Sequence, residues 1–530
     1  MTEAGAGPGG LLPDRRPRWP VGLKRSALVG PVLGSIVYFA VTCHQAATRP
    51  LWTDELLTYY LARLPSWADL WAALADGPDA SPPLYHVAVR LTYRVLGESE
   101  LATRLPSILG VWLMATCIFA IVARRCGAAL AWAAALLPLT TVAYTYAAEG
   151  RPYGLWMGLS ALSFLCWQRA AEGGARFPVL IALAATQAAA VACHYYAVLV
   201  LLALGLGEVA RSWGRRKLDP LRGLALTAGL LPLAFLRPLM SNAKALSRNF
   251  WSPPTPDLLI LFFPWLLERL VPGLVAAAVL YVLWSEVLLS RPGYRPEPPR
   301  AAFHTDELVA AVGFVALPGF ALVLALTVTH AFVNRYSLPA IIGVSVLLAA
   351  LTSRLEQRTL MARVLALTLG LWATAEACAL SVRASGQRAV LQSDVVTLQQ
   401  RRATEDLVVA SHDLHSYLEA HRYGPAGLRS HLVYLVDLAD TTDELMARKL
   451  QPWVAPAQSL RLEAADEFLD RHDHFLLLSS STAGIDPSLR ERLRARGARI
   501  EPTEARNRLA VYSVHLPPAP VGPRSSPKSH

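Results

Sequence analysis

The sequence is poor in charged residues, which make up only 17% of its 530 residues. A soluble domain usually carries about 25%. Hydrophobic residues account for 54% of the chain, and the mean hydropathy is +0.35. They come in blocks of roughly 20 residues, the length that crosses about 30 Å of hydrocarbon as a helix. This composition argues against a soluble globular protein and predicts a polytopic membrane protein.

Cysteine is also scarce, with six residues in the whole chain. None has the Cys-x-x-Cys spacing of a zinc site, and all lie in or beside apolar blocks: Cys43, Cys117, Cys126, Cys166, Cys193 and Cys378. The pattern argues against a disulfide framework and against a cysteine zinc site.

The net charge of +11 is not concentrated in a basic domain. The basic residues lie in short loops between apolar blocks, where they determine membrane topology. We therefore expect no nucleic acid among the partners, and we expect the lipid bilayer to be one.

The apolar blocks predict about eleven transmembrane helices. When the basic N-terminal segment is placed in the cytoplasm, every strongly basic short loop falls on the same side. We therefore predict a multi-pass protein of the cell (plasma) membrane, with a cytoplasmic N-terminus and an extracytoplasmic C-terminal tail. The blocks lie at residues 27–43, 105–123, 128–147, 153–167, 177–193, 195–210, 221–237, 270–289, 308–329, 332–351 and 362–382.

The composition divides the chain into four parts. Residues 1–22 and 517–530 are rich in Gly, Pro and charged or small residues, which predicts disorder. Residues 23–387 form the predicted membrane domain. In residues 388–516, short apolar strands alternate with helical patterns, which predicts a small extracytoplasmic α/β domain with a mostly parallel sheet. Its predicted strands lie at 406–412, 431–437, 474–481 and 508–516.

The first outer loop, about residues 45–103, is long and begins with two adjacent carboxylates, Asp54 and Glu55. Two amphipathic stretches follow, at 55–74 and 82–97. Such stretches predict juxtamembrane helices that lie along the membrane surface. The acidic pair is then expected at the lipid–water boundary.

Other outer segments carry residues that are unusual at the ends of spans. They read AAEGRPYG (147–154), HYY (194–196) and NRYSLP (334–339). Arg151 and Arg335 lie on the outer side, against the positive-inside rule. An ionisable residue kept at such a place indicates a function.

These segments make the chain resemble the membrane glycosyltransferases of the GT-C superfamily, in particular protein O-mannosyltransferases and bacterial lipid A aminoarabinose transferases. The resemblance spans roughly residues 25–385. It implies transfer of a sugar, with inversion, from a polyprenyl-phosphate donor to an acceptor outside the cytoplasm. The tail departs from these relatives, so a lipid, a protein and a cell-envelope glycan all stay open as acceptors. The resembling motifs are WTDE (52–55), SPPLYH (81–86), GESELATRLPSILG (97–110), YTYAAEGRPYGL (144–155), HYYAVLVLLA (194–203) and NRYSLPA (334–340).

The acidic pair supplies the candidate catalytic residues. An acceptor hydroxyl has a pKa far above neutral, so a positioned carboxylate helps to remove its proton. Asp54 is the candidate base, because an acidic residue in the first outer loop occupies this position in the superfamily. Glu55 could orient the base, bind a divalent metal such as Mg²⁺ or Mn²⁺, or start the next helix, since carboxylates favour helix N-termini. Metal dependence stays open.

The leaving phosphate requires positive charge and hydrogen-bond donors. Arg335 is the first candidate, because a guanidinium stays charged and offers two parallel donors. Tyr336 is a candidate donor or ring wall beside it. Arg151 is the second candidate, with a local pair to Glu149 as the alternative. His194 could bind phosphate, carry a proton or ligate a metal, or it could only join the aromatic belt.

The acceptor cleft has four candidate residues. Tyr85 and His86 follow a double proline, so they either line the cleft or fix the shape of the loop. Glu149 and Tyr195 lie in the other outer segments.

Two other functions stay open at this point: a lipid or glycan transporter or flippase, and a non-catalytic envelope assembly protein. A transporter usually places its charges near the bilayer midplane, on broken helices. Here they gather at one face, which favours the enzyme.

Overall fold

A computed structural model describes most of the chain. The described residues are 25–79, 81–171, 176–247, 252–292, 302–438, 442–454, 460–481, 484–502 and 508–517. Of the predicted disordered ends, 1–22 and 518–530 lie outside these ranges.

Helices make up the part before residue 406. The first nine are α1 (Arg25–Thr48), α2 (Thr53–Ala62), α3 (Trp67–Asp76), α4 (Leu84–Leu96), α5 (Glu100–Cys126), α6 (Ala128–Leu136), α7 (Tyr153–Ala170), α8 (Arg176–Cys193) and α9 (Val198–Arg215). They are followed by α10 (Pro220–Thr227), α11 (Leu231–Phe235), α12 (Arg237–Ser247), α13 (Asp257–Leu267), α14 (Val271–Leu289), α15 (Thr305–Val315), α16 (Leu317–Leu324), α17 (Ala340–Thr352) and α18 (Arg358–Glu405).

Among the described residues, five helices are long and apolar enough to cross a membrane, or up to eight if each of three bent pairs is one span. The predicted number of eleven is therefore not confirmed. One difference lies at the predicted span 332–351. There Asn334–Ser337 form a tight 3-10 turn and α17 has only 13 residues. Pro339 stands directly before α17, at a position where its missing N–H costs nothing. The turn leaves Arg335 outside any regular helix.

The amphipathic stretches of the outer loop form α2, α3 and α4. Ser66 separates the first two: its hydroxyl accepts the N–H of Asp69 at 3.0 Å, and the Asp69 carboxylate accepts the N–H of Ser66 at 3.0 Å. Exposed apolar residues on α3 and α4, among them Trp71 and Val95, fit the expected place at the membrane surface. In contrast, α2 is buried from Glu55 to Ala62, because it packs under the C-terminal tail.

Helices α5 and α7 contact each other through their backbones. A Cβ atom added at Gly154 would lie 2.7 Å from the carbonyl oxygen of Ser107. Small residues allow this close approach, as they commonly do between transmembrane helices. The contact fixes the outer ends of both helices side by side, with Arg104 on α5 and Arg151 just before α7.

The tail contains a six-stranded sheet in the order β3-β2-β1-β4-β6-β5. The first four are parallel, and β6 pairs antiparallel with both β4 and β5. The strands are β1 (Val409–Ser411), β2 (Leu432–Val436), β3 (Leu462–Ala464), β4 (His474–Ser480), β5 (Arg499–Pro502) and β6 (Leu509–His515). The helices between them are α19 (Leu414–Tyr423), α20 (Ala426–Arg429), α21 (Thr442–Leu450), α22 (Ala465–Arg471) and α23 (Pro487–Ala495).

Four of the strands, β1, β2, β4 and β6, lie within the predicted segments, whereas β3 and β5 have no counterpart in the prediction. The predicted domain start at 388 falls inside α18, which continues without a break to Glu405.

Hydrogen bonds fasten the tail to the outer loop. Tyr60 bonds His421 at 2.8 Å, and Thr53 bonds His415 at 2.7 Å. The N–H of Leu51 donates to the hydroxyl of Tyr423 at 2.8 Å. One apolar cluster includes residues of both α2 and the sheet. The tail therefore covers the loop that carries the acidic pair.

Candidate active site

Glu55 is fully buried and holds the start of α2 in place. Its carboxylate accepts two hydrogen bonds from Arg104, at 2.7 and 2.6 Å, and one from Arg49 at 3.1 Å. It also accepts the backbone N–H of Trp52 at 3.2 Å, so it caps its own helix. Burial alone would raise the pKa of Glu55, but Arg104, Arg49 and the N–H of Gly150 outweigh it and lower the pKa to about 2. Its oxygens are thus already occupied.

Asp54 points to the other side of the same turn. Its side chain is 20% exposed, and its Oδ2 lies 3.4 Å from Nη2 of Arg335. The two residues are 281 positions apart in the chain. Since the contact is long and partly exposed, the carboxylate keeps oxygen surface that a substrate can reach.

Arg335 lies in an aromatic setting. Its guanidinium is 5.9 Å from the ring centre of Trp52 and 5.5 Å from that of Tyr153. Within the described part of the chain its buried Nε has no hydrogen-bond partner. Burial alone would lower the pKa of Arg335, but Tyr153 and Asp54 raise it, so the side chain stays charged. It therefore offers a permanent positive charge and at least one N–H donor that no described residue uses.

His194 joins the same group of rings. It stacks on Trp156, with ring centres 4.4 Å apart, and lies 5.3 Å from the ring of Tyr336. Its Nδ1 faces the backbone N–H of Tyr196 at 3.3 Å, which places the ring proton on Nε2. Burial, together with Arg151 and Arg335, lowers its pKa to about 3. The imidazole is therefore neutral at physiological pH and can donate one hydrogen bond.

Arg151 pairs with Asp79 rather than with Glu149. Its Nη1 and Nη2 lie 2.6 and 3.3 Å from the two oxygens of Asp79. Asp79 also lies 3.2 Å from Nε2 of His86. Burial would raise the pKa of Asp79, but Arg151 and His86 hold it well below its usual range. The alternative of a local Glu149–Arg151 pair is therefore wrong.

The remaining hydrogen bonds of Arg151 go to the outer loop. They reach Ser81 at 3.1 Å, Thr58 at 3.2 Å and the carbonyl oxygen of Asp54 at 3.2 Å. Most of its donors are thus used to fasten the segment before α7 to α2.

Glu149 stands apart from these pairs. Its Oε1 is buried without a hydrogen-bond partner among the described residues. Burial and the nearby carboxylate of Glu55 raise its pKa to about 7. It is therefore a carboxyl group that can exchange a proton near neutral pH, and one of its oxygens is free.

Tyr85 and His86 are both fully buried. The hydroxyl of Tyr85 bonds the carbonyl oxygen of Thr103 and the hydroxyl of Ser107, each at 3.0 Å. These contacts favour the reading in which the two residues fix the loop. Tyr195 is half-buried, and among the described residues its buried hydroxyl has no partner.

The described residues contain no group of three or more His, Cys, Asp or Glu side chains that could hold a metal ion. One of the two adjacent carboxylates, Glu55, is taken up by Arg104. This part of the chain therefore does not fit a divalent metal held by several protein ligands. Arg335 supplies the positive charge next to Asp54.

The structure brings Asp54, Arg335, Tyr336 and His194 together at the outer ends of the bundle, with Glu149 and Arg151 beside them. Sequence reasoning missed Asp79 and Arg104, the ionic partners of Arg151 and Glu55. Asp79 stands two residues before the motif SPPLYH, and Arg104 stands within GESELATRLPSILG. A charged residue in or just before each motif was the signal available in the sequence.

Comparisons with known proteins report on the family and the fold. Residues 80–241 match the family described as dolichyl-phosphate-mannose-protein mannosyltransferase. The fold is similar to the crystal structure of ArnT from Cupriavidus metallidurans bound to undecaprenyl phosphate (TM-score 0.56, 16% identity, 92% of this chain and 98% of that chain). It is also similar to the same protein in the apo state (TM-score 0.53, 15% identity, the same coverage of 92% and 98%). No curated protein sequence matches the chain. These matches confirm the resemblance to GT-C membrane glycosyltransferases.

Proposed function

We propose that this protein is a membrane glycosyltransferase that takes a sugar from a polyprenyl-phosphate donor and transfers it, with inversion, to an acceptor at the extracytoplasmic face. The matched family is described by a dolichyl-phosphate-linked mannose, and one structure of the same fold holds undecaprenyl phosphate. The observation that carries the proposal is the contact of Asp54 with Arg335 at 3.4 Å. It joins a candidate base and a candidate phosphate ligand at one point of the outer face.

The step is a single displacement at the anomeric carbon. Asp54 takes the proton of the acceptor hydroxyl while that oxygen forms the new bond to the sugar. The bond between the sugar and the phosphate breaks, and its electron pair leaves with the phosphate. Because attack and departure occur on opposite sides, the configuration inverts. Such transfers pass through an oxocarbenium-like transition state, which a nearby carboxylate also stabilises.

Arg335 is assigned to the leaving phosphate, because negative charge develops there as the bond breaks. Its free Nε and its partial exposure leave donors for that charge. Neutral His194 supplies one more hydrogen bond without adding a charge, and Tyr336 lies beside it as a further donor or ring wall. Arg151 and Glu55 then act as positioning residues for α2, since their contacts go to protein groups.

Glu149 and Tyr195 are assigned to the acceptor side. Each has a buried oxygen without a partner among the described residues. A sugar or lipid hydroxyl could satisfy both. A lipid, a protein and an envelope glycan can all present such a hydroxyl. These two residues therefore do not select among the three acceptors.

A transporter or flippase is the less supported reading. The ion pair of Asp54 and Arg335 belongs to an outer loop helix and a turn between helices. Neither residue lies within a described span, whereas a transport site would be expected near the midplane.

The proposal is tested in a strain that lacks the gene and carries it back as wild type or as Asp54→Asn. Envelope lipids, proteins and glycans are compared by mass spectrometry at equal protein levels. We expect the wild type to restore one glycan mass, and Asp54→Asn to reduce that product about 100-fold or more, as loss of a general base does. The polyprenyl-phosphate sugar should accumulate.

Asp406→Asn is the matched control, because the Asp406 side chain is 89% exposed and lies far along the chain in the tail. It should restore the product in full. Normal amounts of product with Asp54→Asn would show that Asp54 is not the base. Unchanged envelope glycans after loss of the gene would show that the protein is not the proposed glycosyltransferase.

A further inference from the structure

A second polar region lies at the opposite end of the bundle. A cavity of about 610 Å³ is enclosed by the C-terminal ends of α5, α7 and α9 and by the start of α15. Its charged and amide-bearing walls are Arg125, Gln168, Arg211, Arg215, Asp306 and Glu307. A volume of this size falls in the range of small-ligand sites, about 300–1,000 Å³.

The cavity is remote from Asp54. On α5, Arg104 contacts Glu55 near the outer end, and Arg125 lines the cavity 21 residues later. At 1.5 Å per residue, the separation along the helix is about 30 Å, the thickness of the hydrocarbon core. The cavity therefore lies at the other membrane boundary, which is predicted to be the cytoplasmic one.

Glu307 makes one wall rigid. It is 2% exposed and accepts three hydrogen bonds from Arg125, at 2.7 to 3.0 Å. It also accepts the side-chain amide of Gln168 at 2.8 Å and the backbone N–H of His304 at 3.0 Å. This network joins α5, α7 and α15 before any ligand arrives.

On these walls, two buried side-chain atoms lack a hydrogen-bond partner among the described residues. The side chain of Arg211 is 7% exposed; its Nη2 donates to the carbonyl oxygen of Ala171 at 3.4 Å, but its Nη1 makes no hydrogen bond. Its ion pair with Glu208 is long, at 4.0 Å, and the same carboxylate also bonds Trp167 and Arg222. On the facing helix, Oε1 of fully buried Gln168 is also unpaired. A buried guanidinium nitrogen without a hydrogen-bond acceptor is costly, and an anion in the cavity would satisfy it.

The depth of the cavity indicates the source of that anion. Trp213 lies on the same turn of α9 as Arg211 and Gly214, and it is 85% exposed. Val209, one turn earlier, is 65% exposed. In a membrane protein, Trp concentrates at the level of the lipid head groups, and exposed aliphatic residues face the acyl chains. The cavity therefore lies at head-group depth.

We propose that this cavity binds the head group of an anionic phospholipid from the leaflet opposite Asp54. Arg211 donates to the lipid phosphate, Arg215 adds positive charge at the rim, and Oε1 of Gln168 accepts a hydrogen bond from a head-group hydroxyl. Basic pockets between transmembrane helices bind acidic head groups in this way. The positive-inside rule explains basic residues at this end, but it explains neither the cavity nor the buried unpaired groups.

The test uses the purified full chain in nanodiscs that contain phosphatidylcholine and phosphatidylglycerol in equal amounts. After release into mild detergent, native mass spectrometry counts the lipids that stay bound. We expect the wild type to retain phosphatidylglycerol preferentially. Arg211→Gln should reduce this retention roughly fivefold, which corresponds to one phosphate-binding arginine.

Two further variants keep the test decisive. Arg215→Gln changes an exposed rim residue and serves if Arg211→Gln does not fold; it should also lower retention. Lys217→Gln is the control, because it removes an exposed charge nearby that does not line the cavity, and it should retain lipid as the wild type does. Equal retention of both lipids by the wild type, or unchanged retention by both arginine variants, would overturn the proposal.

Inorganic phosphate distinguishes the two sources of the anion. If it displaced phosphatidylglycerol at millimolar concentration and raised the melting temperature equally in neutral nanodiscs, the ligand would be a soluble phosphate and the lipid assignment would be wrong. We expect neither effect. Because sugar transfer is not measured, the result does not depend on the proposed function.

Discussion

Asp54 and Glu55 are neighbours in the chain, but they lie in different surroundings. Glu55 has no exposed side-chain surface and is neutralised by Arg104. Asp54 keeps 20% of its side chain exposed beside Arg335. The same helix turn therefore carries one carboxylate in a fully buried ion pair and one that stays partly exposed.

Glu149 predicts a dependence of stability on pH. Its pKa is about 7 in the folded protein, against an ordinary value of 4.5. Between these values the folded state holds a proton that the unfolded state releases, so stability falls as the pH rises from about 4.5 to about 7. Glu149→Gln removes this loss, which is on the order of 3 kcal/mol. The variant should melt higher than the wild type at about pH 8 and similarly at about pH 4.5.

Melting temperatures across this pH range check the prediction. Glu98→Gln, at a carboxyl whose side chain is 45% exposed, is the control and should follow the wild type. Parallel pH profiles for Glu149→Gln and the wild type would show that Glu149 titrates normally.

Arg335→Lys tests the phosphate assignment. Lysine keeps the charge but loses the planar donors and the stacking on Trp52 and Tyr153. We expect donor use to fall roughly 10- to 100-fold in kcat/KM, as loss of a charge-assisted hydrogen bond does. The KM for the acceptor should change little. Kinetics with the donor and the acceptor varied in turn measure the two effects separately. A change confined to the KM for the acceptor would contradict the assignment of Arg335 to the phosphate.

At the scale of elements, two buried arginines hold α2 from two directions. Arg104 of α5 bonds Glu55, and Arg151, just before α7, bonds Thr58 and the carbonyl oxygen of Asp54. The position of Asp54 therefore depends on how closely α5 and α7 pack, which the contact at Gly154 determines. A helix fixed in this way can hold a base in place without a metal.

Removing one member of the Glu55–Arg104 pair should destabilise this arrangement. Glu55→Gln leaves the buried guanidinium of Arg104 without its charge partner, which costs about 3–5 kcal/mol. Glu98→Gln, at a more exposed pair with Arg63, should cost less than about 1 kcal/mol. Thermal unfolding measures both. The double variant Glu55→Gln, Arg104→Gln should lose less than the sum of the single changes, and simple additivity would show that the pair does not couple.

The sequence identified the segments that meet around Asp54, because acids and arginines at span ends stand out against apolar surroundings. It could not predict their partners. Glu55 and Arg104 are 49 positions apart, and Arg151 and Asp79 are 72. It also placed α2 on the membrane surface, because an apolar face looks the same whether lipid or protein covers it. The packing of α2 against the tail, as in the hydrogen bond between Tyr60 and His421, shows that protein covers it.

At the scale of the whole molecule, polar groups gather at the two ends of the helical bundle. One end holds Asp54 and Arg335 under the tail, and the other holds the cavity lined by Arg211. Helix α5 runs from one end to the other. Its orientation in the membrane therefore determines on which side each of the two polar regions lies. The proposed reaction and the proposed lipid site thus depend on a single topology.

That topology predicts opposite results for two fusions. Alkaline phosphatase needs disulfides to be active, and these form outside the cytoplasm. Fused after Leu516, at the end of the sheet that covers α2, the enzyme should be active. Fused after Lys217, between α9 and α10, it should be inactive, whereas green fluorescent protein at the same place should fluoresce. Basic residues at this loop, Arg215 to Lys217, favour the cytoplasmic side. Activity after Lys217 together with none after Leu516 would put Asp54 in the cytoplasm, where the donor sugar would have to be presented on the inner leaflet.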